Sequence, residues 1–106
     1  MTSILRPLQD RQINILSEML EFIVDEVSSA ELVEICPNWD EETECVICTI
    51  VFSTGTRQYK VAFDWLGTIV DYSPKIPKHL LVDIHNGICA GYLKGILDEA
   101  TKESSE

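Results

Sequence analysis

The sequence predicts an α+β fold in the order α-β-β-β-β-α: an N-terminal helix, an antiparallel meander of about four strands, and a C-terminal helix. Three observations carry this reading. Apolar residues recur at helical spacing near both ends of the chain. Between them lie short stretches rich in β-branched residues, separated by turn signals. The chain has 106 residues, 45% hydrophobic and 25% charged, which is enough for one modest core and too little for two. Residues 1–106 therefore read as a single domain, with about 102–106 expected as a disordered tail.

The first helix is expected from Pro7, a residue suited to the first helical position because its missing N–H costs little there, to about Ser28. Its apolar stripe is Ile13, Leu16, Leu20, Ile23 and Val27, widened by Met19 and Val24, with Ile15 and Phe22 at the edge. Asp10, Asn14, Glu18, Glu21 and Asp25 form the polar side.

"ELVEIC" reads as the first strand, stopped by Pro37, and "PNWDEET" as a long acidic turn. "ECVICTIVF" is apolar on both faces, as an interior strand is. "STGT" supplies a hairpin turn, and "RQYKVAFDW" then alternates, with Tyr59, Val61, Phe63 and Trp65 on one face. Leu66-Gly67 turns the chain into "TIVDY". Val46, Cys48, Ile50 and Phe52, or their alternates, are expected in the core with Tyr59, Val61 and Phe63.

The second helix is expected from Pro77 to about Ala100. Gly87, Gly91 and Gly95 recur along one flank of it. Each glycine inside a helix costs about 1 kcal/mol relative to alanine, so the flank implies a neighbour packed very close, either the first helix or the sheet backbone. The alternative is that Asn86-Gly87 caps one helix and starts another. Apolar residues reach most of the way round, from Leu80, Leu81, Ile84 and Ile88 to Val82, Leu93 and Leu97. That surface exceeds what one side of a small sheet covers, so a homodimer or partner contact through the helix faces is a natural alternative use.

Cys45-Val-Ile-Cys48 has the spacing of zinc and redox motifs. In a strand, however, residues three apart point to opposite faces, so both thiols cannot reach one ion. A redox motif would sit at a helix N-terminus, which lowers the thiol pKa. The pair reads as part of a strand, and all four cysteines as small hydrophobes in a reducing compartment. No metal or other cofactor is expected. His85 and Cys89, four apart on a helix, could begin a nucleophilic site, but a packed histidine is the simpler reading, and no phosphate loop or nucleophile elbow occurs. The chain is read as non-enzymatic.

Charge says more. The net charge is −10, and residues 12–56 hold ten acids and no Lys or Arg. Such a single-signed surface keeps a protein soluble, attracts basic partners and repels nucleic acid. Direct nucleic-acid binding is not expected, because phosphate recognition needs clustered Lys and Arg. The opening "MTSILRPLQDRQ" lacks the features of a secretory signal and no apolar run is long enough to span a bilayer, so no membrane contact and a cytoplasmic location are expected.

The preferred function is binding of a basic protein partner, as an inhibitor, immunity protein, anti-defence protein or nucleic-acid mimic. Glu18, Glu21 and Asp25 on the helix and Asp40, Glu41, Glu42 and Glu44 in the turn would form the contact, with Trp39 as apolar anchor or as core-edge residue. A small acidic chaperone or adaptor using the apolar helix faces is a second class. The layout also resembles the acidic α–β–α domains of the frataxin type, a likeness of layout and charge without a shared motif. That resemblance implies iron on an acidic helix; on Glu18, Glu21 and Asp25 such binding would be weak and exposed.

Overall fold

The computed structural model describes the backbone of residues 2–104 and the side chains of residues 9–101. Its elements follow the expected order: α1 (Thr2–Glu26), β1 (Glu31–Asp40), β2 (Cys45–Ser53), β3 (Gln58–Asp64), β4 (Ile69–Tyr72) and α2 (Lys78–Ser104). The strands form one antiparallel sheet in the order β1-β2-β3-β4. Glycines with positive φ turn the chain after β2, at Gly55, and after β3, at Gly67. Of the disordered tail expected over 102–106, residues 102–104 instead continue α2 in their backbone, and 105–106 lie outside the described residues.

Alternation sorts the sheet into two faces. Val46, Cys48, Ile50 and Phe52 of β2 and Tyr59, Val61 and Phe63 of β3 are buried. They form one core with Ile15, Leu16, Met19, Ile23 and Val27 of α1 and Leu80, Ile84 and Ile88 of α2. Both helices therefore cover the same face. No layer of described residues covers the other face, where rows such as Cys36–Thr49–Ala62–Asp71 run across the strands. Val51 is nevertheless buried on that open side, between the paired Glu34 and Lys60, whose aliphatic stems suit the role of a cover. Cys45 and Cys48 fall on opposite faces, as strand geometry requires.

α2 is one continuous helix, and its glycine flank lies against α1. A Cβ added at Gly87 would sit 2.5 Å from the Cα of Ile23, one at Gly91 would overlap the backbone of Met19, and one at Gly95 would sit 3.1 Å from the Cα of Ile15. The pairs run in opposite sequence directions, so the helices are antiparallel, and the missing side chains set their separation. This contact also corrects the expected face of α1. Ile15 is at the centre of the core, whereas Ile13 and Val24 are about half exposed. The helix is rotated toward its glycine-lined neighbour, beyond what the sheet alone would require.

Besides the longer α2, two boundaries differ from expectation. β1 does not stop at Pro37 but continues to Asp40, with Pro37 opposite Cys48 and Trp39 opposite Val46. β1 is an edge strand, where a proline need not donate to a ladder. The acidic turn therefore shrinks to residues 41–44. α1 starts at Thr2, so Pro7 sits inside its second turn and not at its first position. The helix there forgoes the one backbone bond that proline cannot donate.

Candidate partner-binding surface

The acidic turn is built by its own side chains and by one residue of α1. Asp40 Oδ1 accepts from the Glu42 N–H at 3.2 Å, and Asp40 Oδ2 accepts from the Thr43 hydroxyl at 2.9 Å. This is the short-range capping that lets aspartate start a turn. Glu44 closes the turn in the left-handed region, at φ 54°. Its carbonyl accepts from Gln12 Nε2 at 3.1 Å, while Gln12 Oε1 accepts from the Val46 N–H at 2.7 Å.

Gln12 is the one buried polar side chain described, at 1% exposure. The ladder between β2 and β3 reaches only Ile47 opposite Asp64, so Val46 has no β3 partner. The Gln12 amide takes the place of a strand there, giving one donor and one acceptor to the backbone on either side of Cys45. Sequence reading missed it because a glutamine between Arg11 and Ile13 looks like ordinary helix surface. Its place at the polar edge of the apolar stripe was the available signal.

The expected contact residues divide into three groups. Glu41, Glu42 and Glu44 are exposed on the turn, with Asp40 half-buried beside them. Trp39 packs partly buried against the core, which is the core-edge position. Glu21 and Asp25 are exposed on α1 and face a shallow groove of about 460 Å³ with Leu20, Val24, Leu32 and Ile35. Glu18 points elsewhere, toward α2. Its Oε2 is 3.6 Å from Lys94 Nζ, within ion-pair range but beyond a hydrogen bond, and has no other hydrogen-bond partner. Lys94 also donates to Asp98 at 2.9 Å, and that bond, with the nearby carboxylates, raises its pKa. Among the described residues, Glu18 alone of these acids has an ion-pair partner. Glu18, Glu21 and Asp25 therefore do not act as one cluster.

Other candidate chemistry is dispersed. Cys89 Sγ lies 3.7 Å from His85 Nε2, both exposed on the outer side of α2. Cys45 Sγ donates to the Thr43 carbonyl at 3.3 Å. Cys48 is buried, and burial followed by the neighbouring Cys36 pushes its thiol up to about 11. Among the described residues no three His, Cys, Asp or Glu side chains converge on a point where they could hold a metal ion. No helix of the described residues is long and apolar enough to cross a membrane. Arg57 and Lys75 line a separate hollow with Tyr59 and Pro74, on the β3–β4 side of the sheet away from β1. Comparison with protein families, with curated proteins and with solved structures finds no match for this chain.

Proposed function

We propose that this chain is a non-enzymatic acidic protein that binds a basic protein partner, in the manner of an inhibitor, immunity or anti-defence protein or a mimic of nucleic acid. One observation carries the reading. Apart from Asp10, the acids of α1, β1 and the 41–44 turn fall in a segment, residues 12–56, with no Lys or Arg, and among the described residues only Glu18 of them is paired. Unneutralised charge of one sign concentrates and orients oppositely charged partners before contact. The test replaces Asp40 by Asn and Glu41, Glu42 and Glu44 by Gln together. The amide oxygen of the asparagine retains an acceptor for the turn, so folding persists. Capture of basic proteins from the native host should weaken, chiefly through slower association and a flatter salt dependence, because steering is screened over about 8–10 Å at physiological salt. Unchanged association at low salt would sink the proposal.

A second reading, a small chaperone or adaptor, rests on the outer side of α2, where Leu93 and Leu97 are 63% and 66% exposed and Val82 48%. It takes first place if capture depends on Leu93 and Leu97 and not on the acids.

A further inference from the structure

The groove between α1 and β1 combines two properties, an apolar floor and an acidic rim. Its floor is apolar, from Leu20 and Val24 on α1 and Leu32 and Ile35 on β1, and its rim is acidic, from Glu21 and Asp25. A second hollow of about 390 Å³ adjoins it, sharing Val24 and Leu32 and ending at Glu31. In the other direction Ile13, 47% exposed, lies seven residues before Leu20 and so on the same side of α1. The strip from Ile13 to Val24 is about 16 Å long at the rise of an α-helix, room for roughly three turns of a docked helix.

We propose that this groove seats an amphipathic basic helix of the partner, with its apolar stripe on Val24 and Ile35 and its Lys or Arg side chains on Glu21 and Asp25. The inference rests on the reading of the chain as a binder of basic proteins and names the element recognised. Charge selects the occupant. No Lys or Arg occurs anywhere in residues 12–56, which supply every wall of both hollows, so a basic segment meets only attraction. A second copy docked on the same face would set Glu21 and Asp25 against acids of their own kind. An added strand is also disfavoured, because β1 carries an irregular register between Leu32 and Glu34 and a proline at Pro37. A helix needs no backbone pairing from the edge.

The test uses the full chain and two synthetic peptides of equal charge, each about 14 residues of Leu and Lys. In one the leucines fall at i, i+3, i+4 and i+7; in the other the same residues are shuffled to abolish the stripe. Fluorescence anisotropy at low salt should show the striped peptide binding more tightly. Val24→Ser with Ile35→Ser should weaken it about tenfold or more and leave the shuffled peptide unaffected. Both positions are about half exposed, and circular dichroism checks that the fold persists. Equal affinity for the two peptides, or undiminished affinity of the Val24/Ile35 variant, overturns the groove while leaving the acidic surface as a binder. A dominant effect of Leu93→Ser with Leu97→Ser also overturns it, in favour of the outer side of α2. Absence of binding by either peptide defeats both the groove and the function it rests on.

Discussion

Substituting Gly91 by alanine adds a single carbon at the closest approach of two helices. That carbon would meet the Met19 nitrogen at 2.5 Å and the Glu18 carbonyl carbon at 2.8 Å, with the Met19 Cα nearer still. All three are backbone atoms, so no rotamer change relieves the overlap. Restoring an ordinary contact of about 3.6 Å moves the helices apart by over an ångström, and gaps of that size forfeit about half of each dispersion contact along the seam. Overpacking of this kind costs at the upper end of its usual range, about 3 kcal/mol. Alanine returns about 1 kcal/mol of helix propensity, leaving a net loss of about 2 kcal/mol. For a chain of this size the melting temperature should fall by roughly 8 °C. Gly95→Ala provides the internal control. Its Cβ would sit 3.1 Å from both the Cα and the Cγ1 of Ile15, an overlap small enough for the propensity gain to offset. Gly91→Leu should not fold cooperatively. Thermal and urea unfolding followed by circular dichroism reads the series. A Gly91→Ala protein at least as stable as Gly95→Ala would refute the close seam between α1 and α2.

Gln12→Glu should make stability depend on pH in a way the parent does not. The carboxylate still accepts from the Val46 N–H but has no proton for the Glu44 carbonyl, and its burial raises its pKa above the about 4.3 of an unfolded glutamate. The folded variant then binds more protons than the unfolded chain, so relative to the parent it is stable below about pH 4.3 and loses that stability as pH rises through the folded pKa. Equal deficits at pH 4 and pH 7 in urea titrations would remove the amide clamp from the account. Cys48, raised from 9.0 to about 11, should stay unalkylated by iodoacetamide at pH 8 while exposed Cys36 and Cys89 react, as mass spectrometry will show. Because the unfolded thiol ionises first, the chain should also lose stability between pH 9 and 11, and Cys48→Ala should abolish that component.

Periodicity made the element order legible, and the reason is visible in Cys45 and Cys48. Strand alternation separates them whatever the tertiary structure, so the metal reading fails on local geometry alone. Gly87, Gly91 and Gly95 announced a close neighbour because their cost has to be offset, but spacing does not name the neighbour; the antiparallel placement of α1 does. That placement then decided which side of α1 is innermost, promoting Ile15 over Ile13. Pro37 misled because its effect depends on whether a strand lies at an edge, a property of the sheet and not of the strand. The acids were legible as a charge imbalance along the chain. Their division, with Glu18 drawn to Lys94 and Glu21 and Asp25 left on the groove, follows from the second helix and has no local signature.

The glycine seam joins the first element of the sheet-and-helix series to the last. During synthesis α1 leaves the ribosome before any strand, and residues 87–95 emerge after all of them. Until then Ile15, Met19 and Ile23 have no partner helix to rest on. The hairpins β1–β2, β2–β3 and β3–β4 are all local and form early, whereas the seam waits for the longest loop closure in the chain. The glycine-facing side of α1 therefore stays uncovered until α2 has been made, although its sheet-facing side can already pack on the hairpins. Opening the seam uncovers the facing sides of the first and the last element at once.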